Sequence, residues 1–374
     1  MPVVGVIGAG QLARMMQPAA IALGIGIKVF AESEGSSAHQ AVTKVGDINN
    51  FEQLLEFSKT VDVITFDHEH VPTAILQQLE AAGVLVRPGS NALKHAQNKL
   101  TMRRKLAELG LPQPIWQAAK TASDISEFLQ NNGPKIVVKT PIGGYDGKGV
   151  RVVSSIDQVA DWLENIDQFG GELLLEEKVD FVGELAQLSA RTPSGQFKAW
   201  PLVETVQESG VCAEVIAPAQ EVSLHPKALE IAKQISEGLG VVGVMAVELF
   251  RSRAGEILVN ELAMRPHNSG HFSIDASITS QFEQHLRAVL DLPLGESAGT
   301  SKYSVMINLL GVDSENDFVT HYPMAMKQFP NVKFHAYEKA PRLGRKMGHL
   351  TLQGNDLDQL LLDGRACRDL LYNR

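Results

Sequence analysis

The run Lys135 to Val153, KIVVKTPIGGYDGKGVRVV, restricts the fold more than any other stretch of the chain. Ile136, Val137 and Val138 form a β-branched apolar run that reads as a buried strand, and Val150 to Val153 form a second. Between them, Gly143, Gly144, Gly147 and Gly149 place four glycines in seven residues, which rules out a stable helix or strand. The expectation is a strand, a glycine loop and a returning strand. Such a loop lets backbone N–H groups close on a phosphate chain without interference from Cβ atoms. Lys139, at the end of the incoming strand, and Lys148, in the loop, add point positive charge for phosphate oxygens. Lys148-Gly149 runs into a strand and not a helix, so this is not a Walker A loop. A hairpin tip with two solvated lysines is the plainer alternative.

A chain of 374 residues has material for two or three domains. Its net charge of −9 argues against a general nucleic-acid binder, so a bound nucleotide has to be held by a local positive cluster. Cys212 and Cys367 have no metal-ligand spacing and make no disulfide framework, which fits a reducing cytoplasm. No apolar run reaches the length of a membrane span, and Met1 leads straight into a strand, so no signal peptide is expected.

Val3 to Ile7 reads as a buried strand. Gly8-Ala9-Gly10-Gln11-Leu12-Ala13 follows, then an apolar helical pattern to Leu23. This matches the dinucleotide fingerprint, with strands expected at Ile25 to Phe30, Val61 to Phe66 and near Val84 to Val86. Glu32 stands where an NAD site places its ribose-binding acid. Nothing later in the chain supplies a hydride-transfer site, so the narrower expectation is a Rossmann-like domain whose helix N-terminus holds some phosphate. In Asp67-His68-Glu69-His70, alternating strand faces should separate the histidines from the acids, leaving one acid for a polar substrate.

His95 to Leu109 reads as one amphipathic helix with Lys99 on its polar side. Leu173 to Glu177 is an apolar strand ending in two acids, whose end can offer backbone groups to a purine; Glu184 lies eight residues beyond Glu176. Met245 to Phe250 and Ile257 to Leu262 read as two strands around a turn. A tip at Ala254-Gly255 puts Glu248 opposite Glu261, with Cβ atoms about 5 Å apart. Two carboxylates so placed repel unless protonated or bridged, and oxygen-only ligands favour Mg²⁺ over zinc. Asn260 points to the other face of a regular strand. RPHNSGH, Arg265 to His271, follows at once; Arg265 can hold an anion with both arms of its guanidinium. Strands are expected at Ser304 to Leu310, Lys333 to Tyr337 and Leu350 to Leu352, and a closing helix at Asp356 to Tyr372. Lys339 to Lys346 packs four cations into eight positions, a patch of phosphate size.

Taken together, Gly8-Ala9-Gly10-Gln11-Leu12-Ala13-Arg14-Met15, GGYDGKG from Gly143, Val247-Glu248-Leu249, Asn260-Glu261, RPHNSGH and Gly344-Arg345-Lys346-Met347-Gly348-His349 give a pattern along nearly the whole chain that resembles the N5-carboxyaminoimidazole ribonucleotide synthetases, ATP-grasp ligases of purine biosynthesis. The resemblance implies an α/β and α+β protein: a Rossmann-like pre-ATP-grasp domain at 1–98, an ATP-grasp domain at 99–298 and a small β-rich C-terminal domain at 299–374. It implies carboxylation of 5-amino-1-(5-phosphoribosyl)imidazole by bicarbonate and MgATP, in a cytoplasmic homodimer. ATP would meet Lys99, Lys139, the loop Gly143, Gly144, Tyr145, Asp146, Gly147, Lys148 and Gly149, the hinge Glu176, Glu177, Lys178 and Val179, and Glu184, Gln207, Asn260 and Glu261. Mg²⁺ would sit on Glu248 and Glu261. The ribonucleotide would meet Gln11, Leu12, Glu69, Tyr145, Asp146, Lys148, His267, Asn268, Lys339 and Arg345. Asp146, Arg265 and Lys346 would carry the chemistry. The sequence departs from the family pattern at Ala13, Met264, Leu343, Gln207 and the 67–70 segment. The competing expectations are another ATP-grasp carboxylate–amine ligase, an NAD-dependent oxidoreductase and a non-catalytic nucleotide sensor.

Overall fold

The computed structural model describes residues 1–144, 149–208, 210–312 and 318–373. The first layer is a parallel sheet of β1 (Val3–Ile7), β2 (Gly26–Ala31), β3 (Val42–Val45) and β4 (Val63–Phe66), in the order β3-β2-β1-β4. β4 is buried throughout and β1 nearly so, as continuous apolar runs in a parallel sheet require. The strand expected near Val84 to Val86 is reduced to a single bridge between Val86 and Ile64. Arg87 still donates to the Ile64 carbonyl at 2.9 Å, but Pro88, two residues past Val86, has no N–H with which to extend the ladder.

A small antiparallel sheet comes next: β5 (Trp116–Ala119), β6 (Ile136–Lys139), β7 (Val150–Val153) and β8 (Leu173–Glu177), ordered β5-β8-β6-β7. Lys139 pairs with Val150, so the glycine loop leaves and rejoins the sheet at those residues. The helix Ala122–Asn132 covers this sheet, burying Ile125 and Phe128 against Val138, Leu173 and Leu175.

The large sheet holds β9 (Phe181–Arg191), β10 (Phe197–Ala199), β11 (Val203–Glu208), β12 (Val211–Ala217), β13 (Gly243–Ser252), β14 (Ile257–Ala263), β15 (Tyr303–Leu310), β16 (Lys333–Ala336) and β17 (Lys346–Gly354). Its order is β14-β13-β9-β11-β12-β15-β17-β16, with β10 paired to β9. The C-terminal strands β15, β17 and β16 therefore continue the sheet begun by β9 to β14. β17 runs over nine residues where the sequence suggested three. Lys346, His349 and Thr351 interrupt its apolar pattern, yet β15 and β16 flank it on both sides. The expected helix His95 to Leu109 is broken. One helix ends at Gln97, and the Asn98 side chain accepts the Thr101 N–H at 2.9 Å to start the next, Lys99–Glu108.

The helix Gln281–Val289 ties the first sheet to the large one. Phe282, Leu286 and Val289 pack among Val4, Val6 and Leu12. His285 Nδ1 accepts the Val244 N–H of β13 at 3.0 Å, and Nε2 lies 2.7 Å from Thr65 Oγ1 of β4. An Nδ1 that accepts leaves the proton on Nε2, so the imidazole is neutral and donates to Thr65. Full burial lowers its pKa to about 3. The unfolded chain then binds one more proton than the folded chain between the ordinary histidine value and pH 3. Stability attributable to this site is present at neutral pH and declines on acidification, by about 1.4 kcal/mol per pH unit at most. His285→Gln should show a shallower loss of stability than wild type between pH 6.5 and 4, measured by urea unfolding.

Candidate active site

The site lies where the small and large sheets meet. At its base Arg103, fully buried in helix Lys99–Glu108, donates from Nε to Glu176 at 2.6 Å. Its other nitrogens donate to the carbonyls of Val259 at 2.7 Å and Asn260 at 2.9 Å. Lys139, at the end of β6, lies 2.8 Å from the second Glu176 oxygen and donates to Asn260 Oδ1 at 3.2 Å. One buried carboxylate thus orients both cations. Burial raises the Glu176 pKa, but Lys139 and Arg103 outweigh it and hold the group ionised.

Glu248 pairs with Glu261 across β13 and β14, the register read from the sequence. The route to it differs. The turn is one residue tighter than expected, with Arg251 opposite Ile257, and a bulge at Asn260 restores the count. That bulge turns the Asn260 side chain towards Lys139, which a regular strand would not do. Glu261 lies 3.6 Å from Lys99 Nζ, and Lys99 also donates to the Gly144 carbonyl at 3.2 Å. The near end of the glycine loop and the paired acids therefore share one lysine. Glu248 lies 3.2 Å from His267 Nε2. Burial pushes Glu248 up, but the hydrogen bond and charge of His267, with Lys346 and Arg265 nearby, hold it below its ordinary value. Glu184 on β9 behaves in the opposite way: burial, then the Glu248 charge, raises it to about 7.

Several expected ligands have partners within the protein. Glu69 accepts the Met264 N–H at 2.7 Å and faces Arg265 Nε at 3.2 Å, so its carboxylate aims Arg265. Asn268 is buried and exchanges amide hydrogen bonds with Asn308, at 3.0 and 2.7 Å. Glu176 is spent on Arg103 and Lys139, Glu177 accepts the Ile115 N–H at 2.8 Å, and both pair within the sheet. Lys178 and Val179 lie just past the last residue of β8. Gln207 is exposed beside a bulge in β11. Gly143 and Gly149, both at positive φ, flank the loop; Tyr145, Asp146, Gly147 and Lys148 lie outside the described residues.

The first glycine turn is not a free anion site. Asp67, at the end of β4, accepts the Gly10 N–H at 3.0 Å and the Ala13 N–H at 2.7 Å. Its carboxylate takes the helix N-terminus that a dinucleotide pyrophosphate would use. A Cβ at Gly10 would collide with Asp67 Oδ2, so only glycine fits. Glu32, the expected ribose acid, lies 3.0 Å from His68 Nε2. Residues 67–70 form a bend and not a strand, and the His68 and His70 rings lie with centroids 4.8 Å apart. Gln11 and Leu12 open the helix beside this turn, and Lys339 Nζ donates to Gln11 Oε1. Arg345 donates to the Ala340 carbonyl at 3.0 Å, and Lys346 begins β17 on the Glu248 side.

Family models match the chain in three consecutive parts: a ribonucleotide synthetase preATP-grasp domain at 1–97, an ATP-grasp domain at 104–282, and a phosphoribosylaminoimidazole carboxylase C-terminal domain at 304–362. N5-carboxyaminoimidazole ribonucleotide synthase of Mycobacterium tuberculosis is 46% identical over 96% of this chain and 85% of its own length. That of Corynebacterium ammoniagenes is 44% identical over 100% and 92%. The chain belongs to the N5-carboxyaminoimidazole ribonucleotide synthase family. Among solved structures, the Aspergillus clavatus synthase in complex with ADP and 5-aminoimidazole ribonucleotide matches with a TM-score of 0.89 at 30% identity, covering 100% of this chain and 99% of that one. The Thermus thermophilus synthetase matches with a TM-score of 0.86 at 34% identity, covering 98% of each.

Within this synthase fold, Arg103 organises the site without having been singled out in the sequence, and Asp67 caps a helix where an acid for a polar substrate was expected. Arg103 lies three residues from Leu100 and from Leu106, on the apolar stripe of its helix, and a cation in that stripe is a readable signal of a buried partner. Removing it leaves Glu176 short of one counter-charge. Arg103→Leu should lower unfolding free energy by about 3–5 kcal/mol in urea titration, the usual cost of breaking a buried pair. Glu184 supplies a pH test. Its raised pKa means the folded chain holds the proton more tightly, so stability falls as pH rises from the ordinary glutamate value through about 7. Without nucleotide or metal, Glu184→Gln should match wild-type stability near pH 4.5 and exceed it above pH 7.

Proposed function

We infer that this chain carboxylates 5-amino-1-(5-phospho-D-ribosyl)imidazole with bicarbonate, consuming ATP and releasing ADP and phosphate, to give N5-carboxyaminoimidazole ribonucleotide for purine biosynthesis. The observation that carries the reading is the junction at Lys99, which joins the start of the glycine loop to the facing acids Glu248 and Glu261. A triphosphate between loop and acids meets Lys99 and Lys139 on its way.

We propose residue roles on that basis. Lys139 and Lys99 neutralise the transferring phosphoryl group, and Lys178 and Val179 edge the adenine. Glu248, Glu261 and the Asn260 amide offer an oxygen-only donor set that suits Mg²⁺. Glu184, raised to about 7 by burial and then by the Glu248 charge, is a third carboxyl group beside this pair. Bound there, Mg²⁺ would neutralise phosphate charge. A bicarbonate oxygen attacks the γ-phosphorus as the bond to ADP breaks, giving carboxyphosphate. Arg265, held by Glu69, stabilises that anion. The exocyclic amine then attacks its carbon, phosphate leaves, and Asp146 takes the amine proton. Glycine-loop closure excludes water from the labile anhydride. Lys339, Arg345 and Gln11 hold the ribonucleotide phosphate, and Lys346 lies near the reacting end. The division at 98/99 and 298/299, a homodimer and a cytoplasmic location belong to the same proposal and rest on family membership. The capped helix at Gly10 weighs against a dinucleotide at the first turn.

ADP release should require both the aminoimidazole ribonucleotide and bicarbonate, and Lys139→Ala and Glu261→Ala should each lower turnover by about 10²–10³. ADP formation indifferent to the ribonucleotide would reject the substrate. Near wild-type turnover in either variant would remove that residue from the mechanism.

A further inference from the structure

The segment that carries Lys339 into the site is held by a pair the reaction does not itself use. Arg14, in the first turn of helix Gln11–Leu23, makes four hydrogen bonds. Two nitrogens meet the two Glu338 oxygens at 2.8 Å each, NH1 also donates to the Ser37 carbonyl at 3.0 Å, and Nε donates to the Ala336 carbonyl at 3.2 Å. Ser37 Oγ donates to the Tyr337 carbonyl at 2.5 Å, and the next residue, Ala38, donates to the Ala9 carbonyl at 3.0 Å. The glycine turn, the 37–38 segment and residues 336–338 are thus stitched together across some three hundred positions of sequence.

Glu338 sits at φ +50, in the left-handed region that a glutamate seldom adopts. Tyr337 donates to the Met347 carbonyl at 2.9 Å, carrying the β16–β17 pairing one residue further, so Glu338 is the first residue beyond it. The next residue is Lys339, whose ammonium donates to Gln11, three residues before Arg14 on the same helix. Strain at a non-glycine residue persists where its surroundings over-determine it. Here the surroundings are a two-armed arginine–carboxylate pair, whose geometry fixes direction as well as distance. An exposed ion pair by itself adds little to stability, so stability alone is a weak reason for this arrangement.

We propose that Arg14 and Glu338 are positioning residues that set Lys339 against Gln11 to receive the phosphate of the ribonucleotide. They act by fixing the left-handed backbone of Glu338, which sets the direction of the next residue, Lys339. This deepens the reading above and rests on it, because it takes the Lys339–Gln11 pair as the phosphate seat.

The test compares Arg14→Gln, Glu338→Gln, the exchanged pair Arg14→Glu with Glu338→Arg, and Lys339→Ala. Steady-state ADP release is measured with the aminoimidazole ribonucleotide and with its nucleoside, which lacks the phosphate. Arg14→Gln and Glu338→Gln should raise KM for the ribonucleotide about tenfold, leave KM for ATP unchanged and keep kcat within about threefold. Their preference in kcat/KM for ribonucleotide over nucleoside should shrink by the same factor, which general loosening of the fold would not produce. The exchanged pair should recover part of that preference. If Lys339→Ala raises KM for the ribonucleotide while Arg14→Gln and Glu338→Gln do not, the positioning role is overturned and the phosphate seat stands. If Lys339→Ala leaves that KM unchanged, the phosphate seat itself falls, and the proposal with it.

Discussion

The buried carboxylate of Glu176 is the constraint on which the site depends. It belongs to the small sheet, and its two cations come from a helix and from the neighbouring strand. Arg103 passes the constraint on to the large sheet through two backbone carbonyls at the Asn260 bulge. A buried guanidinium needs nearly all its hydrogen-bond partners, so helix, small sheet and bulge must meet in one geometry. Lys139 inherits its aim from that arrangement. The Lys139 ammonium is therefore set in place by Glu176 and Asn260.

Charge at the other wall is arranged to opposite effect. Glu248 has His267, Lys346 and Arg265 around it and remains ionised, while Glu184 lacks such help and rises to about 7. Two acids on adjacent strands are thus pushed apart in acidity by their neighbours. Lys99 spans from Glu261 to the Gly144 carbonyl, so the loop's near end is registered against this wall.

Much of this was legible in the sequence wherever the signal was local. The strand–loop–strand around the glycines and the pairing of Glu248 with Glu261 both follow from apolar runs and turn residues. The second was reached by a tip one residue too wide, an error that the Asn260 bulge cancels. What stayed hidden depends on partners distant along the chain. Arg103 and Glu176 are separated by 73 positions and Arg14 and Glu338 by 324. Asn98 looked like an ordinary polar residue inside an amphipathic pattern, although its side chain begins a new helix. Asp67 stood among histidines that invited a strand, when its role was to cap the first helix. The polar residues of β17 concealed a long strand, because hydrophobic alternation cannot reveal a strand that buries polar side chains such as His349 and Thr351.

The way β15 joins β12 has a consequence for how this chain could have been assembled in evolution. The third family segment looks like a module that could be traded, yet its strands extend a sheet begun more than a hundred residues earlier. Cut away, it would leave β12 with a bare flank of backbone donors and acceptors, open to strand capture by another chain. Gene fission at that seam would yield two sticky halves.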